Sequence, residues 1–139
     1  MNEKLLLLPV LLQVVVTLVA YILLGRAKTI AAKAGLVDET RRGLHDDAWP
    51  DAVRQINNNI RNQFELPVLF YVLVLCLWGL AVTGWFVQTV AWLFALSRVL
   101  HLYVHVGSNY VPLRRRVFMF GFLMVVLLLG SVVFALFGA

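Results

Sequence analysis

The chain has 139 residues, one domain's worth, with a formal net charge of +5. It is 62% hydrophobic and only 14% charged, with a mean hydropathy of +0.88, far above the apolar share of a water-soluble domain. That excludes a soluble globular protein and predicts an all-α integral membrane protein, with residues 1–139 as a single membrane domain; the one cysteine, Cys76, excludes an intrachain disulfide and a cysteine-based metal cluster, and no metal is expected.

Four apolar runs follow in chain order. Leu5 to Gly25 is interrupted only by Pro9, Gln13 and Thr17. Roughly 20 apolar residues span a bilayer as a helix, so this is the first transmembrane candidate. A leader peptide would have a shorter apolar region and a small-residue cleavage site, whereas "GRAKTIAAKAG" runs into charge. The first helix is expected over about 5–34, stopping at Gly35. "TRRGLHDDAWPDAV" reads as a loop, with Pro50 and Asp51 placed to start a second helix over about 52–82. Its apolar part, Leu66 to Val82, is too short to span comfortably, so the helix must begin among the asparagines, which puts Glu65 at the membrane interface. Within that run Cys76 reads as a small packed hydrophobe. "TGW", Thr83 to Trp85, is a very short uncharged turn. A third helix over about 85–108 carries Arg98, His101 and His105, and "GSNYVPLRRR" is a tight loop broken by Gly107 and Pro112. The fourth helix, about 113–137, is uncharged from Val117 onwards.

Orientation comes from the basic residues. Of the twelve lysines and arginines, all but Lys4 and Arg98 fall in the first and third loops and the adjoining helix ends. The positive-inside rule makes those loops cytoplasmic and puts both termini outside the cytoplasm. The positive charge is therefore topological, and no nucleic-acid partner is expected.

The membrane-level polar residues fall into faces. Asn58, Asn62 and Glu65 stand at i, i+4, i+7 of the second helix, flanked by Arg54 and Arg61. Arg98, His101 and His105 stand at i, i+3, i+7 of the third. Counted from Val106 at about 1.5 Å per residue, Arg98 lies roughly 12 Å inside its helix end. A charge at that depth points into a bundle or a wet cavity. Arg114 and Arg115 begin the fourth helix at the same level. A structural ion pair, such as Glu65 with Arg98, accounts for part of this set. The excess of cation over anion favours a site for an anion from outside.

"RNQFELP" and "RVLHLYVHVGSNYVPLRRRVF" together resemble the family of membrane-associated proteins in eicosanoid and glutathione metabolism (MAPEG). Arg61, Asn62 and Glu65 match its Arg-Asn-x-x-Glu pattern. Arg98, His101, Gly107, Pro112 and Arg114 match its second motif at the spacing of the prostaglandin E synthase members. Arg26 resembles a family arginine after the first span. The chain departs from those members at His105, where many have tyrosine, and at Arg115 and Phe118, where they have serine and tyrosine. The proline at position 67 also comes earlier after the glutamate than theirs does. The departures surround the thiol position, so the resemblance carries a glutathione anchor further than an eicosanoid substrate.

The resemblance implies a four-helix homotrimer with glutathione as co-substrate, held between subunits near the cytoplasmic face. It implies binding by Arg26, Arg61, Asn62, Glu65, Arg98 and His101, and the polar faces and the arginine cluster at the start of the fourth helix add Asn58, His105 and Arg115 as candidate binding residues. Arg114 would act catalytically by stabilising the thiolate, the reactive form. An apolar second substrate would enter from the lipid, for thioether formation or peroxide reduction. Two other classes stay open: a lipid-binding or scaffold protein on the same fold, and a small transporter subunit using the polar faces as a pathway. Turnover of an electrophile, lipid binding without turnover, and flux in vesicles separate the three.

Overall fold

Among the described residues, five α-helices build four membrane spans, because the second span is broken. The structure, a computed structural model, describes residues 3–138. A 3-10 turn at Glu3–Leu6 leads into α1, Leu7–Lys33; α2 is Asp51–Gln63, α3 Leu66–Gly79, α4 Trp85–Val106 and α5 Val111–Phe137. Among the described residues, Glu3–Lys33, Asp51–Gly79, Trp85–Val106 and Val111–Phe137 are long and apolar enough to cross a membrane. The protein is an all-α integral membrane protein with a four-span fold.

The first helix stops by a backbone device. Gly35 takes a left-handed φ of +69°, its N–H reaches the Ala32 carbonyl, and the Leu36 N–H reaches that of Ala31. This is the Schellman closure, and glycine adopts that φ without steric cost. The loop that follows is tied by its own side chains. Trp49 Nε1 donates to the Arg42 carbonyl at 3.2 Å, and Lys28 Nζ sits 4.9 Å above the Trp49 ring. Arg41 pairs with Asp47 at 2.8 Å and holds that carboxyl below its ordinary range. Arg61 pairs with Asp46 across the loop.

The break in the second span differs from the single helix over 52–82 read from the sequence. Pro67 has no N–H to return to the Gln63 carbonyl, and its ring crowds the preceding turn. So α2 ends at Gln63, the Phe64 N–H reaches back to Arg61 O, and Glu65 leaves helical geometry at φ −100°, ψ −99°. α3 restarts with Pro67 in its first turn, where no N–H is needed. It ends at Gly79, and Leu80 to Thr83 form the turn into α4.

The reading of Cys76 as a packed residue is corrected: it is exposed on the outer face of α3. The inward positions of that helix are Phe70, Val74 and Leu77, all sealed, and the helical period leaves Cys76 outside them.

Two apolar clusters hold the bundle. One joins α3, α4 and α5 through Phe70, Val74, Leu77, Val90, Phe94 and Leu128, with the Phe70 and Phe94 rings stacked 4.2 Å apart. The other joins α1, α2 and α4 through Val16, Ala20, Leu24, Ile56, Ile60 and Leu102. α4 belongs to both and is the most buried span. Along the helices, the buried polar residues Gln13, Gln63, Arg98 and His101 fall where one cluster gives way to the other.

Candidate functional site

Polar residues meet where α2, α4 and the start of α5 come together. Arg98 of α4 is 1% exposed, and none of its guanidinium nitrogens has a hydrogen-bond partner among the described residues. The Glu65 carboxylate acts on it electrostatically, but no ion pair forms between them. His101 and His105 are buried beside it, their rings edge-to-face at 5.4 Å. The charges of Arg98 and Arg114 reach both imidazoles. Phe118 packs against His101 at 6.1 Å.

Arg114 is positioned by the loop before it. A Cβ at Gly107 would lie 2.8 Å from the Tyr103 carbonyl oxygen, so only glycine fits this close approach. Asn109 takes a left-handed φ of 50°, which asparagine tolerates, and its N–H caps Val104 O at 2.8 Å. Its side-chain Oδ1 accepts from Arg114 Nη1 at 2.6 Å. Pro112 sits in the first turn of α5, where its missing N–H costs nothing. The turn thus holds a half-buried arginine whose charge acts on the two histidines.

On α2 the structure separates two faces. Asn58 is exposed and Asn62 half-buried, and with exposed Glu65 they lie on the outer side of the bundle. The inward face is one residue over. Asn59 Nδ2 lies 3.2 Å from His105 Nδ1. Gln63 Nε2 donates to Asn59 Oδ1 at 2.9 Å, and Gln13 Nε2 of α1 donates to Gln63 Oε1 at 2.8 Å. Gln55 Nε2 ties α2 to the end of α4 by bonds to the His105 and Gly107 carbonyls at 2.6 and 3.2 Å.

Of the sequence-predicted residues, Arg98, His101, His105 and Arg114 form one electrostatic group with Glu65 at its edge. Arg61 is taken up by Asp46, and Arg26 and Arg115 are exposed without a hydrogen bond or ion pair among the described residues. Sequence reasoning missed Gln13, Asn59, Gln63 and Asn109. Gln13 had one signal, being a polar amide in an otherwise apolar run.

A family model, the MAPEG family, matches residues 6–134. The chain belongs to the MAPEG family. No individual curated protein and no solved structure matches it. At family level, MAPEG membership supports a glutathione-related transferase, peroxidase or allied role in the membrane. The matched span contains both sequence motifs, from Arg61 to Glu65 and from Arg98 to Arg114.

Proposed function

We propose that this MAPEG protein is a glutathione-dependent membrane transferase or peroxidase, working as a homotrimer with its site near the cytoplasmic face. The observation that carries the reading is Arg98, a buried guanidinium without a hydrogen-bond partner among the described residues. A buried charge whose donors make no hydrogen bond is costly, and the Glu65 carboxylate acts on it only from a distance, so such a group calls for an anion from outside. Glutathione brings two carboxylates, an ammonium and a thiol. Arginine forms bidentate bonds to carboxylate. The exposed Glu65 suits the ammonium, and Asn62 beside it suits the peptide. Asn58, Arg61, Arg26 and Arg115 stand on exposed surface, where a neighbouring subunit would complete the site. Arg114 would stabilise the thiolate, and His101 and His105 would line the pocket.

An apolar electrophile or lipid hydroperoxide dissolved in the bilayer is the matching second substrate. A lipid-binding role without turnover is the second reading, favoured by an outward groove of about 360 Å³ between α4 and α5 with Arg116 among its lining residues. The test is calorimetric titration of the purified protein with glutathione, followed by turnover of a chromogenic electrophile and of a lipid hydroperoxide. Binding with turnover of either supports the enzyme. Lipid binding without glutathione affinity selects the second reading.

A further inference from the structure

We propose that Gln13, Gln63 and Asn59 form a buried amide chain that fixes the tautomer of His105, keeping its Nδ1 as acceptor and its Nε2–H as the donor offered to the site. The chain crosses three helices. Gln13 of α1 donates to Gln63, Gln63 donates to Asn59, and the Asn59 Nδ2 amide meets His105 Nδ1, at 2.8, 2.9 and 3.2 Å. All four residues are sealed, with exposures of 0–2%.

A side-chain amide has a donor end and an acceptor end, so its orientation passes along a chain. With Gln13 presenting its NH2 group, the Gln63 oxygen faces α1 and its nitrogen faces Asn59. The Asn59 oxygen is then occupied, and its nitrogen must point at His105. An imidazole nitrogen that accepts a hydrogen bond carries no proton, so the ring proton sits on Nε2. The two ring nitrogens flank Cε1 and point in diverging directions, and His105 Nε2 has no hydrogen bond among the described residues. His101 and the fields of Arg98 and Arg114 act on the same ring.

Asn59, Gln63 and Gln13 touch no reacting group here; they are positioning residues that act through His105. Gln55 strengthens the arrangement by tying the His105 carbonyl to α2 at 2.6 Å, which fixes the backbone that carries the ring. That Nε2–H is offered to glutathione rests on the function proposed above. The tautomer itself does not.

The test is nitrogen-15 NMR of histidine-labelled protein without ligand. The chain has three histidines, and the His105 signals are those lost in His105→Asn. The expected result is an unprotonated Nδ1 and a protonated Nε2 in the wild type. Gln63→Leu does not touch the ring, yet it frees the Asn59 amide to turn. It should reduce the tautomer bias by about tenfold, the scale of one hydrogen bond's preference. A protonated Nδ1 in the wild type overturns the proposal, whatever the variant does. A Gln63→Leu protein that folds and keeps the wild-type His105 signature overturns it too. Glutathione is then added to the wild type. A shift confined to Nε2 supports the offered donor; the expected apo tautomer with no response to glutathione refutes the binding reading and leaves the amide chain standing.

Discussion

Asn58 and Asn59 are consecutive on α2 and have opposite environments: Asn59 is sealed against His105, while Asn58 stands on the exposed side. The helix therefore carries two polar stripes about 100° apart. The inner one, Gln55, Asn59 and Gln63, fastens α2 to α1 and α4. The side chains of the outer one, Asn58, Asn62 and Glu65, have no hydrogen-bond partner among the described residues.

Glu65 separates the two uses. It forms no ion pair and sits exposed at the break between α2 and α3. Glu65→Gln should leave the fold and oligomeric state intact, because no bond of the protomer is lost. Glutathione affinity should fall by about tenfold, the worth of one charge-assisted hydrogen bond. Calorimetric titration checks it. Unchanged affinity assigns Glu65 to compensating Arg98, and an unfolded variant makes it structural.

The close approach of α5 to α4 depends on Gly121. A Cβ there would meet Ser97 Oγ at 3.2 Å, with Leu66 and Phe94 at 3.7 Å. Ser97 Oγ is already held by the Phe94 carbonyl at 2.6 Å and yields poorly. Small residues let membrane helices approach in this way. Gly121→Ala should cost about 1 kcal/mol, the low end of overpacking. Adding Ser97→Ala should recover most of it, because only the contacts at 3.7 Å then remain. Thermal denaturation of the two variants in detergent reads the difference.

The four spans and the two motifs were legible because their signals are local. Long apolar runs announce helices, and Gly107 and Pro112 mark a turn whose geometry needs them. The inward face of α2 was not legible. Asn57, Asn58 and Asn59 are chemically identical, and only packing against α1 and α4 selects the third. The pattern Asn58, Asn62, Glu65 is a true helical stripe, but periodicity does not say which stripe faces in. The helix break was written in Pro67, whose cost depends on whether the surrounding bundle supports a continuous helix.

Topology offers an independent check. The basic residues concentrate at the loop between α1 and α2 and at the start of α5, and the positive-inside rule predicts that these ends are cytoplasmic. Tags at both termini should be reached by an impermeant reagent only from the opposite side. A C-terminal tag that reports from the cytoplasm would invert the placement of the site.

The outward stripe makes assembly testable. Asn58, Glu65, Arg26 and Arg115 are exposed and Asn62 is half-buried, so a site that uses them together needs a second surface to cover it. Native mass measurement in detergent should give three chains, with glutathione affinity lost on dilution to monomer. A stable monomer that binds glutathione equally well removes the intersubunit site.

The sharpest distinction is between Arg114 and Arg116, separated by about 200° around α5. Arg114 is half-buried, held by Asn109 at 2.6 Å, and its charge reaches His101 and His105. Arg116 is exposed and lines the outer groove between α4 and α5 with Leu93, Leu100 and Phe120. A guanidinium stays charged at any working pH, so Arg114 would favour the bound thiolate without itself titrating. Its removal should harm the transition state more than the ground state. Arg114→Ala should lower turnover by about tenfold or more, the scale of one lost charge-stabilising group. Glutathione binding should weaken less, and the ultraviolet thiolate absorbance of the complex near neutral pH should shrink. Raising the pH towards the thiol's ordinary value of about 8.5 should partly restore the rate, because solvent base then supplies the ionisation the arginine had favoured. Arg116→Ala should leave turnover within about twofold, as for an exposed substitution outside the site. Full turnover in Arg114→Ala, or greater damage from Arg116→Ala, would move the thiolate away from Arg114 and towards the outer groove.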